Sequence, residues 1–313
     1  MKKALITGSL GFVGRYLRME LVQNGYEVTG LDIREGENTI CADLLDAEQT
    51  RLAMQAVHPD AVFHLAGQAD VAKSWTIPQK TIELNVIATI NLMEAVRSVN
   101  PAARIVLVGT SDEYGQLEDA GANVTEETPV NPQTPYAVSK LAQEQMAQVY
   151  VRAYGMNLCM TRSFNHVGSG QREGFLIPDF ASGIARVEKG LQPRLTVGNL
   201  ESRRDFTHVR DMVRAYSLIA EKGRSGEIYN VGTGITYSAQ EILDKLRSMA
   251  LCEILVEQDP ARMRPSDTPV ICCNHDKLTQ DTGWLPELDI DTVLRETLDE
   301  WRNTLRTVEG SVP

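Results

Sequence analysis

Apolar residues arrive along this chain in two rhythms. Ala4-Leu-Ile, Ala61-Val-Phe-His-Leu65 and Ile105-Val-Leu-Val108 are short unbroken runs of the kind that buried strands need. Between them, Tyr16, Leu17, Leu21 and Val22, and later Ile82, Val86, Ile90, Met93 and Val96, recur at helical spacing. The first half therefore reads as strands at 3–7, 26–32, just before Asp43, 61–66, 104–108 and 157–162. A helix follows the first strand, a second covers 81–99, and a third starts at Thr134-Pro135 and runs to about Ala153. Beyond Arg162 the alternation loosens into a polar, turn-rich segment at 163–171 and a helix over 175–189. Short strands at 195–197 and 204–207, a helix at 209–221, a strand at 227–232, a helix from Ser238 to Met249 and a closing helix at 288–305 follow. The pattern predicts an α/β fold. A Rossmann-type doubly wound parallel sheet is expected from 1–162 with about 207–233, and a smaller C-terminal α/β domain from 163–206 and 234–313.

Composition narrows what such a fold can do. A net charge of −11 and 6% aromatic residues leave no clustered cations for a nucleic-acid or membrane surface, so anionic ligands must be met by local arginines. The five cysteines form no C-x-x-C pair and no metal-ligand spacing; reduced intracellular thiols and no metal are expected, with Cys272 and Cys273 read as strand residues. No apolar run reaches the ~18 residues of a membrane span. Met1-Lys-Lys leads into too short a run for a signal-peptide core, so a cytoplasmic location is expected.

The chemistry concentrates where strands end. Gly8-Ser-Leu-Gly11-Phe12-Val13-Gly14 sits between the first strand and its helix, the order a pyrophosphate site asks for: small residues admit it and helix N–H groups point at it. A plain structural turn fits the glycines equally well until Asp32 is added. That carboxylate ends the second strand at the distance needed to hold an adenosine ribose, which favours NAD(H) over NADP(H); Arg34, after Ile33, softens the preference. Asp43-Leu44 either approaches the adenine or is an ordinary loop carboxylate with its neighbour. Leu65, Ala66 and Gln68 close the 61–66 strand with a small residue over which a cofactor can lie, while His64 reads as a packed strand histidine.

Gly109-Thr110-Ser111-Asp112-Glu-Tyr-Gly115 follows the 104–108 strand and so faces the crevice where such sheets bind ligands. Tyr136 and Lys140 lie four apart near the start of the third helix, on one face, where the ammonium would favour ionisation of the phenol. Alone, that spacing equally describes two amphipathic side chains on a solvated face.

Taken in order, Thr7-Gly8-x-x-Gly11-Phe-x-Gly14, Asp32, Thr110, Tyr136-x-x-x-Lys140 and Arg204-Asp-Phe resemble the extended short-chain dehydrogenase/reductases that act on nucleotide sugars. The resemblance covers nearly the whole chain. His64-Leu-Ala-Gly-Gln68, Ser163-Phe164-Asn165-His166, Gly198-Asn-Leu-Glu-Ser-Arg-Arg-Asp-Phe206 and Pro260-Ala-Arg-Met-Arg-Pro-Ser-Asp267 look like the branch that reduces GDP-4-dehydro-6-deoxy-D-mannose. It implies that Tyr136 gives a proton to the C4 oxygen and that Lys140 tunes Tyr136 and holds the nicotinamide ribose. Thr110 would orient the ketone, with Ser111 and Asp112 beside it, and Phe164 and His166 would line the cofactor. Gln68 and Asn165 would reach the substrate, and Arg204 and Arg264 would clamp the diphosphate. Lys189 and Arg203 are either further contacts or solvated charges. A GDP-mannose 4,6-dehydratase is the main rival; it needs an extra acid and base, and Ser111-Asp112 offers a carboxylate one methylene shorter than the usual Ser-Glu. A 4-epimerase and a non-catalytic NAD-binding regulator are the other readings, and a homodimer through the helices at 81–99 and 136–153 is expected.

Overall fold

A computed structural model describes residues 1–117, 123–260 and 270–309. The chain enters as β1 (Lys3–Thr7), turns through the glycines into α1 (Phe12–Gln23), and continues as β2 (Glu27–Asp32) and β3 (Thr39–Cys41). Next come α2 (Ala47–Val57), whose Asp46 cap accepts from Glu48 N at 2.9 Å and Gln49 N at 3.0 Å, and β4 (Ala61–His64). Two short helices, α3 (Val71–Thr76) and α4 (Pro78–Ile82), precede a π-helical turn at Glu83–Ile87, which runs on into α5 (Ala88–Val99). The single helix expected over 81–99 thus begins earlier, at a proline in its first turn, and carries a bulge in the middle. β5 (Arg104–Val108) ends in a tight turn at Ser111–Glu113; β6 (Asn123–Val124), α6 (Pro135–Tyr154) and β7 (Leu158–Ser163) follow. Thr134 caps α6 through Ala137 N at 3.1 Å, and Gly155 closes it.

The remaining elements are β8 (Asn165–Val167), α7 (Leu176–Glu188), β9 (Leu195–Val197), β10 (Arg203–His208), α8 (Val209–Lys222) and β11 (Ile228–Val231). They are followed by β12 (Thr236–Ser238), α9 (Ala239–Ser248), β13 (Val256–Gln258), β14 (Val270–Cys273), α10 (Asp276–Thr282) and α11 (Ile290–Glu309). β8 corrects the turn-rich reading of 163–171: three polar-flanked residues become a strand because Phe206, Thr207 and His208 offer them a ladder. α3, α10 and β13 are too short to leave a period in the sequence.

Seven strands form one parallel sheet in the order β3-β2-β1-β4-β5-β7-β11, the doubly wound arrangement with a seventh strand added. Neighbouring residues of each strand serve opposite faces. Ile6, Phe63 and Val106 pack under Leu17 and Leu21 of α1, Met212 and Tyr216 of α8, and Trp284. Leu5, Val62 and Ile105 pack under Met54 of α2, Leu92 and Val96 of α5 and Ala147 of α6. β10 carries the chain between the layers: its first half pairs with β12 and β14, its second half with β8, and it passes directly into α8. A separate core joins α7, α9 and α11 through Phe180, Ile184, Leu243, Leu246, Leu294 and Leu298. Among the described residues no helix is long and apolar enough to cross a membrane.

Candidate active site

β1, β4 and β5 deliver their C-terminal ends to one edge of the sheet. At the β1 end, Gly8 sits at φ +68°, and a Cβ there would come within 3.0 Å of the Ala66 backbone. Gly14 is held by space: a Cβ would lie 2.6 Å from Gly8 O and 2.7 Å from Ser9 O. Leu65 N donates to Thr7 O at 3.3 Å and Ala66 N to Thr7 Oγ1 at 3.2 Å, so Leu65 and Ala66 seal the glycine turn from below. No side chain caps α1, leaving its N-terminal N–H groups for a ligand, and Ser9 Oγ is buried without a partner. Phe12 stacks on His166 of β8 at 6.4 Å with rings nearly parallel, which brings two of the expected cofactor neighbours together; Val13 lies half-buried beside Phe12.

Asp32 is buried at the end of β2, accepting from Leu10 N at 3.1 Å on one oxygen and from Arg34 N and Nε, both at 3.2 Å, on the other. Ile33 between them is exposed. This donor set, an uncapped helix end over a glycine turn with a carboxylate one strand away, fits a dinucleotide. Asp43 is exposed and folds onto Leu45 N at 2.9 Å. The Leu44 side chain is core, packed with Met54 and Leu92, so an approach of this residue to an adenine would use its backbone.

The chemical centre stands one strand over. Thr110 and Tyr136 are both buried. Burial, and then the Asp112 carboxylate, push the phenol's pKa well above the usual tyrosine range, and the lowering influence of Thr110 only partly offsets this. Lys140 is buried too, donating to Val108 O at 2.8 Å and Gln143 Oε1 at 3.0 Å; burial brings its pKa down to about 8, against a raising influence from Glu113. The expected lowering of Tyr136 by Lys140 is therefore corrected, because the ammonium is turned to the end of β5 and burial dominates the phenol. Ser111 is buried in the turn, its carbonyl accepting from Tyr114 N at 3.1 Å, and Asp112 N donates to Thr110 Oγ1 at 3.3 Å.

Gln68 is buried, but its side-chain amide is engaged with the backbone of Asp70, donating to Asp70 O at 2.8 Å, so it shapes the loop. Asn165 is exposed at the head of β8, and Phe164 is buried beneath it with its N–H on Val231 O at 2.8 Å. Arg204 lies on β10 opposite Tyr237 and Ile271, with Nη1 on Arg203 O at 2.7 Å. Arg203 is tied down by Glu241 at 3.0 Å and Thr236 O at 2.9 Å, a structural use. Lys189 follows the last residue of α7 and is half-buried. Arg264 lies outside the described residues.

Three polar groups of this centre were missed by the sequence reading. Asn85, in the π-helical turn, accepts from Gln68 N at 2.7 Å and donates to Gln68 O at 3.1 Å and Ser139 Oγ at 2.8 Å, bracing the β4 loop against α6. Arg162 and Glu144 form a buried two-pronged pair at 2.8 and 2.9 Å below Thr110. Their spacing, a Glu four residues after Lys140 and an Arg inside a strand, was the available signal.

The family model for GDP-mannose 4,6 dehydratase matches residues 5–297. The chain is 34% identical over 306 residues to the GDP-6-deoxy-D-mannose reductase of Pseudomonas aeruginosa, covering 97% of this chain and 99% of that protein. Its fold is similar to RMD from Pseudomonas aeruginosa complexed with NADPH (TM-score 0.87, 32% identity, 97% and 100% of the two chains). It is also similar to Thermus thermophilus UDP-glucose 4-epimerase complexed with NAD (TM-score 0.85, 30% identity, 96% and 99%). With its Thr110, Tyr136 and Lys140 grouped at the sheet edge beside a dinucleotide cradle, the chain belongs to the GDP-mannose 4,6-dehydratase family, within the extended short-chain dehydrogenase/reductases.

Proposed function

We propose that the protein reduces the C4 ketone of GDP-4-dehydro-6-deoxy-D-mannose to a GDP-6-deoxyhexose of the D-rhamnose type. The observation that carries this reading is the burial of Tyr136 at the strand end that carries Thr110, with the phenol held protonated by burial and by Asp112. A reduction consumes a proton at the carbonyl oxygen, and a neutral phenol is set to give one. An oxidation at C4, with which dehydration and epimerisation begin, asks the same phenol to be a base. The nicotinamide dinucleotide supplies the hydride. Thr110 orients the ketone oxygen toward Tyr136, and the Lys140 ammonium steadies the phenolate left behind. Residues 1–162 with about 207–233 are read as the dinucleotide unit, and 163–206 with 234–313 as the unit for the sugar nucleotide. Arg204 and Arg264 would meet the diphosphate, where a guanidinium grips two oxygens at once.

The position of Asp32 supports NAD(H) over NADP(H), although the relative of known structure named above holds NADPH. Exposed Ile82, Ile87, Val138, Val149 and Tyr154 on α4, the π-helical turn and α6 support a homodimer through these helices. The absence of disulfides among the five cysteines supports a cytoplasmic location, and the net charge of −11 supports a protein that does not bind nucleic acid.

Purified protein given GDP-4-dehydro-6-deoxy-D-mannose is expected to oxidise NADH or NADPH in proportion to ketone, and to leave GDP-mannose untouched. Formation of the 4-keto-6-deoxy sugar from GDP-mannose alone would establish the dehydratase instead. Tyr136→Phe is expected to cut turnover by at least about a hundredfold while cofactor binding persists; turnover near that of the unaltered protein would remove Tyr136 from the reaction.

A further inference from the structure

Glu113 closes the turn that carries Thr110, Ser111 and Asp112, and its side chain is wholly buried. Its Oε1 accepts from Thr110 N at 3.1 Å, the return arm of a capping box. Room for this carboxyl is made by Gly109, where a Cβ would come 2.8 Å from Glu113 Oε1 and 2.4 Å from Thr161 O. The other oxygen, Oε2, is buried and without a hydrogen-bond partner, 3.6 Å from Arg162 Nε. That guanidinium is already committed. Nε and Nη2 hold the two oxygens of Glu144, Nη1 holds Glu126 O at 3.2 Å, and the planar group lies 4.9 Å from the Tyr114 ring centre.

One guanidinium thus serves two buried carboxyls. The titratable and charged neighbours are Tyr136, Lys140 and Glu144 from α6, Arg162 from β7, Asp112 and Tyr114 from its own turn, and Glu126 from the loop that meets Glu113 O through Asn131 N at 3.0 Å. At the Arg162 guanidinium two ionised carboxylates would compete for donors that are already committed, and Glu113 Oε2 would be an anionic oxygen with no donor where water does not reach. A proton between Glu113 and Glu144 removes both faults at once. Burial and the Glu144 charge act in that direction, raising Glu113 well above the ordinary carboxyl range.

We propose that Glu113 works as a neutral, protonated carboxyl: a positioning residue that holds the Thr110 backbone through Oε1 and donates from Oε2 to Glu144. The turn is thereby fixed without a second anion beside Tyr136 at the moment its phenolate forms. This rests on the reductase reading for its effect on rate, but its protonation is independent of any substrate. Glu113→Gln keeps both hydrogen bonds, since the amide oxygen accepts from Thr110 N and the amide N–H donates to Glu144. Glu113→Leu keeps neither.

The test has two arms. In ketone reduction, the glutamine variant is expected within about threefold of the unaltered enzyme, with the alkaline fall in kcat moved to higher pH. The leucine variant is expected to lose about tenfold to a hundredfold in kcat at little change in cofactor KM. In the second arm, the infrared difference between the unaltered protein and E113Q, recorded without substrate at neutral pH, is expected to show the C=O stretch of a protonated carboxyl, vanishing only at alkaline pH. Absence of that band overturns the proposal whether or not any variant is active, as does a glutamine variant as poor as the leucine one. If the unaltered enzyme consumes no cofactor but the band is present, the reductase reading has failed and the neutral carboxyl stands.

Discussion

His64 makes a quantitative prediction about acid stability. It ends β4, wholly buried, with Nδ1 2.7 Å from Thr7 Oγ1 and Nε2 2.8 Å from Thr89 Oγ1. Thr89 Oγ1 spends its own proton on Asn85 O at 2.7 Å, so it accepts from His64 Nε2–H, and the lone pair on Nδ1 accepts from Thr7. A second ring proton would face a donor. Burial first, and the Lys140 charge second, bring the imidazole pKa down to about 3 from 6.5. In the unfolded chain the ring titrates normally, so between those two values the unfolded state binds a proton that the folded state refuses. Stability is therefore full above about pH 6.5 and falls as the pH drops toward 3. Between pH 7.5 and 5 the loss from this one residue is about 2 kcal/mol, from the linkage relation with a 6.5 reference. His64→Asn lowers stability at every pH but cannot titrate. Urea unfolding of both proteins at pH 7.5, 6.5, 5.5 and 5 isolates the effect, because the carboxylates are common to both. The unaltered protein is expected to lose about 2 kcal/mol more than the variant over that range. Parallel stability curves would refute the buried neutral imidazole.

Two further expectations concern other parts of the fold. Asp32→Asn leaves Arg34 beside the ribose position without its carboxylate partner, and is expected to shift the ratio of NADPH to NADH affinity by at least about tenfold toward NADPH; fluorescence titration with each reduced cofactor reads it, and an unchanged ratio would separate Asp32 from cofactor choice. Asp205 of β10 is buried and gathers Thr233 N at 2.9 Å, Thr233 Oγ1 at 2.6 Å, Gly234 N at 2.8 Å and Cys273 N at 3.3 Å. Its replacement by Ala strands those donors and is expected to cost about 2–4 kcal/mol, so an unfolding midpoint within a degree of the original would show that water takes its place.

Much of the large sheet was legible because its strands are buried on both faces and therefore written as unbroken apolar runs, while Gly8, Thr134-Pro135 and Gly155 punctuate the helices between them. The π-helical turn at 83–87 was not: one extra residue in a turn leaves the apolar period nearly intact, and only Asn85, polar on a buried face, hints at it. β8 escaped because a three-residue strand is made by its partner β10. The placing of Thr110, Tyr136 and Lys140 at one edge followed from strand ends and helix starts. Their proton affinities did not, since Tyr136 and Lys140 are governed by burial and by Asp112 and Glu113, which spacing does not report. Leu44 and Gln68 show the reverse case, in which the position was read and the direction of the side chain was not.

The residues proposed to handle the proton, from Thr110 to Arg162, fall in the passage from β5 to β7, on the turn after β5, on α6 and on β7 itself. Everything proposed to grip the sugar nucleotide, apart from Thr110 and the Gln68 loop, is encoded after that passage, from β8 onward. Such a layout separates two inheritances. On the proposed roles, recognition could change by editing the later segments alone, and a chimera joined just after Ser163 would ask directly whether ligand choice travels with one half and reaction outcome with the other.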